Sequence, residues 1–189
     1  ALGMTLAATI AAAGQSTGNW APDLGSSALT PSPPNDIVRD LYASSGQTCY
    51  AAGEFTQPGN HLAYWNGLSW ESAGATNWLP FESTANAVME YGSDLYAAGR
   101  FKMNDNSPLV LLVKRSSSEP QGTWTPVIFA SQQSQENEAY CLEVHDGVLV
   151  MGGRFTTDTG HQGIVAWDGS NSSGVGDGGV SGNGTVYTL

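Results

Sequence analysis

Three histidines, two cysteines and a handful of turn-borne carboxylates are the residues of this chain with chemistry to offer. His61 and His161 each follow a glycine by eight residues, in matching polar turns, and His145 closes an apolar run. A zinc centre needs several His or Cys ligands at short, fixed spacings. None stands at such a spacing from either histidine, so their recurrence reads as a structural turn. No Ser/His/Asp set is recognised in the sequence, so a nucleophile, base and acid have no anchor there. Asn104-Asp105-Asn106 and the turn at Asp158 place carboxylates where calcium could collect backbone oxygens, but the EF-hand spacing is missing and solvated turns are the expectation. The chain is therefore expected to have no catalytic residues, no metal and no cofactor, and not to be an enzyme.

Other side chains point to binding or modification. Trp78, in the connection Asn77-Trp78-Leu79-Pro80-Phe81, has no evident packing role and is the candidate surface for a glycan or protein ligand. Asn171-Ser172-Ser173 and Asn183-Gly184-Thr185 are N-glycosylation sequons, making Asn171 and Asn183 candidate acceptors. Cys49 and Cys141 admit two readings, a disulfide in an oxidising compartment or two buried free thiols. Seventeen acidic against six basic residues give a formal net charge of −11, which repels a phosphate backbone and excludes nucleic acid as a partner. A surface solvated by Ser, Thr, Asn, Gln and Gly suits an extracellular or cell-surface glycoprotein.

These residues hang on a repeated frame. Residues 146–169, DGVLVMGGRFTTDTGHQGIVAWDG, have worn copies at 46–67 and 92–115. Each copy has an apolar run, a small pair ending in an anchor glycine (Gly53, Gly99, Gly153), a charged residue, and a phenylalanine (Phe55, Phe101, Phe155). A polar turn and a second apolar run follow. A repeat on the order of 40 to 50 residues with several strands is the length of one four-stranded propeller blade. The small pairs are expected to allow close approach between neighbouring sheets. Glu54, Arg100 and Arg154, one step past each anchor, are expected to pair across units for about 0.2–1 kcal/mol.

In chain order, residues 1–34 hold an apolar strand carrying Leu2, Met4, Leu6 and Ile10, a blade tail at 18–25 and a Pro/Ser linker. The apolar stretch at 1–13 is too short to span a bilayer, so no membrane span is expected. Repeat one occupies 35–74, repeat two 75–130 and repeat three 131–170. Residues 171–189 form a Gly/Ser-rich tail ending in a strand with Val186 and Leu189. Within repeat one, strands are expected at 37–44, 48–55, 61–65 and 69–72, with Asn66-Gly67 as a hairpin turn. Repeat three is expected to lack its fourth strand.

The order VLVMGGRF then IVAWDG, and LYAAGRF then TWTPV, resembles the kelch and galactose-oxidase-like β-propeller repeats of secreted and cell-surface proteins, over about residues 35–169. The resemblance implies blade-like sheets, and propellers close with at least four of them. The fold class expected is all-β, with three repeated antiparallel blade-like sheets, propeller-like and not closed by one chain. Uncovered sheet ends favour association. The expected function is a self-associating extracellular structural protein, joined through terminal strands to other copies or to adjacent repeats of a longer chain. A heterologous contact that does not close gives a filament. A propeller binding glycans or proteins is the alternative, with a propeller enzyme behind it.

Overall fold

The computed structural model describes residues 33–44, 48–74, 83–102, 106–119, 121–131, 136–176, 180 and 184–189. Among them are twelve strands and no helix. The first sheet holds β1 (Val38–Ala43), β2 (Cys49–Gly53), β3 (Leu62–Trp65) and β4 (Trp70–Ser72). The second holds β5 (Thr84–Tyr91), β6 (Asp94–Phe101), β7 (Val110–Ser116) and β8 (Thr125–Phe129). The third holds β9 (Glu138–His145), β10 (Val148–Thr156), β11 (Gln162–Trp167) and β12 (Ser172–Gly174). Each is an antiparallel meander in chain order, and none closes into a barrel. The fold is thus all-β, three blade-like units of one pattern.

The third sheet runs past residue 170. Ser172–Gly174 pairs with Val165–Trp167 as a short fourth strand, although no tryptophan marks it. Main-chain pairing alone carries this strand, so the missing side-chain signal misleads. Its turn explains how it forms: Asp168 Oδ1 accepts the N–H groups of Ser170 and Asn171 at 2.8 and 2.7 Å, and Gly169 has φ 99°. Asn66 does the same in the first sheet, accepting from Leu68 and Ser69 at 2.8 and 2.9 Å, with Gly67 at φ 98°. Asn66-Gly67 therefore opens a four-residue Asx-capped turn and not a two-residue one. Two-residue connections occur instead between the first and second strands of the second and third sheets, as at Asp146-Gly147, where both φ values are positive (48° and 78°).

The anchor glycines have a different cause from the one the small pairs suggest. In each sheet the first strand carries one extra residue opposite the anchor: Arg39 between Val38 and Asp40, Asn86 between Ala85 and Ala87, Tyr140 between Ala139 and Cys141. The bulge presses the first strand onto the second. A Cβ on Gly53 would lie 3.0 Å from Ile37 C and closer to its oxygen; on Gly99, 3.0 Å from Thr84 C; on Gly153, 2.7 Å from Ala139 Cα. At the anchors the close approach is inside each sheet; the small residue before the anchor lies instead toward the next unit, with Ala52 and Ala98 buried in the seams between sheets.

A second device recurs beside the bulge. A polar side chain ahead of each first strand accepts the backbone N–H three residues past the anchor. Asn35 Oδ1 takes Thr56 N at 3.0 Å, Ser83 Oγ takes Lys102 N at 3.1 Å, and Asn137 Oδ1 takes Thr156 N at 3.1 Å. Beneath these clamps Phe55, Phe101 and Phe155 are buried.

Two apolar seams bind the sheets. Tyr50, Ala52 and Leu62 meet Val88, Leu95, Ala97, Phe101, Val113 and Trp124 between the first and second sheets. Tyr96, Ala98, Leu112 and Ile128 meet Leu142, Leu149, Met151 and Val165 between the second and third. Each large aliphatic or aromatic side chain so buried contributes about 1.5–3 kcal/mol.

Candidate functional site

Among the described residues, the features that could carry function are the junctions between sheets and the surfaces left at either end. At the first junction Asp40 Oδ2 accepts Val88 N at 2.8 Å, Ser44 Oγ donates to Glu90 Oε1 at 2.8 Å, and Trp124 Nε1 donates to Ala73 O at 2.7 Å. Burial raises the Asp40 carboxyl above its usual range, against the lowering effect of the bond from Val88 N. Arg115, itself buried, stacks its guanidinium 5.6 Å from the Tyr50 ring and 5.2 Å from Trp124. It stands where Trp65 and Trp167 stand in the other sheets, since Trp65 pairs with Cys49, Arg115 with Leu95 and Trp167 with Leu149. Desolvation pulls its pKa down from the usual arginine value, with Tyr50 the largest opposing influence.

At the second junction Thr84 Oγ1 and Asn86 Nδ2 both donate to Glu138 Oε1 at 2.8 Å, and Asn86 Nδ2 also reaches Ala139 O at 2.8 Å. Tyr91 OH donates to Gly147 O at 2.8 Å and Trp167 Nε1 to Tyr96 OH at 3.2 Å. The extra residue in each first strand decides which side chains face the previous sheet. It turns the two-residue alternation of a strand into a spacing of three, so Ala85 and Val88, or Ala139 and Leu142, share one face.

Those positions separate the units. Ala85 and Val88 are 0% and 1% exposed, and Ala139 and Leu142 are 0% and 9% exposed, each pair against the sheet before. Val38 and Leu41, at the same register positions of the first sheet, are 39% and 42% exposed, and Ile37 beside them 53%. Behind this strand Ala51, Phe55 and Ala63 are buried, with Trp70 packed on them.

At the other end, residues 184–189 join no ladder but lie against the third sheet. Val186 N donates to Gly153 O at 3.0 Å, and Cys141 Sγ lies 3.9 Å from Val186 O. A Cβ on Gly152 would come within 2.7 Å of Val186 Cγ1. Tyr187, 74% exposed, stacks on Tyr140 with ring centroids 5.3 Å apart.

The remaining expected residues fall as follows. Leu2, Met4, Leu6, Ile10, Trp78, Asp105 and Asn183 lie outside the described residues. Asn171 is exposed in the Asp168 turn. His61 is buried, with Nδ1 3.2 Å from Gly53 O and φ 67°. Its register counterpart is Gly163, also at φ 67°, because Leu62 pairs with Ala52 and Ile164 with Gly152. His161 comes two residues earlier in a longer turn, so the shared count of eight does not mark structural equivalence. Cys49 and Cys141 are both free, in the first and third sheets, and burial pushes both thiols up in pKa. Glu54 pairs with Arg39 and Arg154 with Glu136 at 2.8 Å, each within its own unit and not across units, because the bulge residue and the leading turn are the nearer neighbours.

Between β3 of the first sheet and the β7–β8 connection of the second is a shallow cleft at Tyr64, Glu119, Gln121 and Gly122. Its polar groups satisfy one another: Tyr64 OH and Gln121 Nε2 both donate to Glu71 Oε2, at 3.0 and 3.3 Å. Among the described residues no three His, Cys, Asp or Glu are grouped to hold a metal ion, and no helix is long and apolar enough to cross a membrane. Comparison with family models, with curated proteins and with solved structures finds no match to this chain.

Sequence reasoning missed the exposed pair Val38 and Leu41, the clamps Asn35, Ser83 and Asn137, and Arg115. The first had a signal: apolar residues three apart recur ahead of every anchor, a spacing that fits neither a plain strand nor, over so short a run, a helix.

Proposed function

We propose that the chain is a structural, non-catalytic protein of the extracellular space or cell surface, whose sheet units join end to end with other copies of itself or with adjacent repeats of a longer chain. The observation that carries this reading is the contrast at one register position: Val38 and Leu41 stand exposed where Ala85, Val88, Ala139 and Leu142 are buried under a preceding sheet. An apolar surface built for a sheet neighbour is the physical motive for association. Because the two ends of the stack differ, such a contact is heterologous, and repeated without closure it extends into a filament. The exposed acceptor Asn171 and the acidic, Ser/Thr/Gly-rich composition support the location. Sedimentation velocity over a concentration series, with negative-stain microscopy of the same samples, tests the reading. Assemblies growing with concentration are expected; a monodisperse monomer throughout overturns it.

A further inference from the structure

The segment at residues 184–189 repeats the opening of the first sheet. Asn183-x-x-Val186-x-x-Leu189 has the spacing of Asn35-x-x-Val38-x-x-Leu41, the clamp residue followed by the two apolar positions that face a preceding sheet. The position of this segment matches its sequence. Gly152, on which Val186 rests, occupies the register position of Ala52 and Ala98. Those two alanines belong to the seams that receive Val88 and Leu142 from the next sheet. Tyr187 corresponds to the bulge residues Arg39, Asn86 and Tyr140, and it touches the bulge residue of the sheet beneath, Tyr140. Asn86 likewise reaches the bulge of its neighbour at Ala139 O. Residues 184–189 thus sit where the first strand of a following sheet sits.

We propose that this segment fills, within one molecule, the seat on the third sheet that β1 of a second copy takes when copies join, so that association requires its displacement. The inference rests on the end-to-end reading above and names its two surfaces: Gly152, Gly153, Tyr140 and Cys141 on one copy, Ile37, Val38 and Leu41 on the next. A tethered segment competes at an effective concentration on the order of millimolar. The apparent dissociation constant between copies rises in inverse proportion to the fraction of time the seat is empty. The segment is a cap that sets the concentration at which assembly begins.

Sedimentation velocity on the whole chain, Val186→Asp, Tyr187→Ala, Leu41→Asp and the double variant Val186→Asp/Leu41→Asp tests this. Intrinsic tryptophan emission and circular dichroism verify folding. Tyr187→Ala alters a side chain already mostly in solvent, so it reports even where Val186→Asp disturbs the sheet. Val186→Asp and Tyr187→Ala are expected to associate at concentrations at least about tenfold below the parent, as an emptied seat requires. Leu41→Asp and the double variant are expected to stay monomeric. If neither segment variant associates more readily than the parent while Leu41→Asp still abolishes assembly, the capping role is overturned and the end-to-end reading stands. If the double variant assembles as well as Val186→Asp, β1 is not the occupant. If no protein of the set associates at any concentration, both readings fall.

Discussion

Gly99→Ala adds one methyl group at the middle anchor, and the structure fixes where it must go. The new Cβ would lie 3.0 Å from Thr84 C, 3.1 Å from Ala85 Cα and closer still to Thr84 O. These are backbone atoms, and they are held from behind: Thr84 Oγ1 is bonded to Glu138, and Ala85 is buried in the first seam. Relief means parting β5 from β6 at the pairs Thr84↔Arg100 and Ala85↔Gly99. Weakening one or two ladder bonds costs about 1 kcal/mol each, and overpacking a closed site adds about 1–3 kcal/mol. The total is roughly 2–5 kcal/mol, and for a domain of this size that lowers Tm by about 10 °C. Gly92→Ala is the control. Gly92 has φ 63° and nothing within 4 Å of a Cβ, so only the left-handed backbone is penalised, by about 1 kcal/mol, or roughly 3 °C. Thermal melts followed by tryptophan emission measure both. Equal losses for the two variants would refute the bulge as the reason for the anchors; Gly53→Ala and Gly153→Ala should rank with Gly99→Ala.

Asp40→Asn keeps an oxygen to accept Val88 N but removes a charge that burial disfavours. Because the folded pKa is raised, the ionised group opposes folding above that pKa and the penalty lifts as pH falls through it. The variant should melt higher than the parent at pH 7, with the gap narrowing in acid; a lower Tm at pH 7 would contradict this. Asp168 has the opposite sign: the N–H groups of Asn171 and Ser170 hold its pKa down, so its contribution is present above the ordinary aspartate pKa and is lost as pH falls through the folded value. Protection of the Ser170 and Asn171 amides against exchange, corrected for the intrinsic rate at each pH, should fall on acidification, while that of Leu68 and Ser69 in the turn at Asn66, made by a neutral amide, should not respond. Trp124→Phe leaves Ala73 O without its buried donor and should cost about 1–3 kcal/mol, read as a Tm loss that Trp70→Phe, at a half-buried position, does not match.

The repeat and its strands were legible because periodic apolar runs and their stops are local. The strands expected in repeat one at 37–44, 48–55, 61–65 and 69–72 coincide closely with β1, β2, β3 and β4. The reason for the glycines was not legible. A bulge is a relation between two strands, and a single sequence shows Gly-Phe without the carbonyl pressed against it. The histidines illustrate the same limit from the other side: counting residues from an anchor assumes equal turns, and the third turn is longer. The fourth strand expected to be missing from repeat three has no side-chain signal, yet Ser172–Gly174 forms one through backbone pairing and an Asx turn. Arg115 in a tryptophan's place looked like an ordinary charge until the rings on either side of it were known.

The seams run from the first sheet to the second and from the second to the third. A molecule tied together in that serial way shares load along a line: tension applied between its ends is borne in turn by each seam, and the weakest parts first. Pulled singly, it should yield in steps, one layer at a time, and recover the same way.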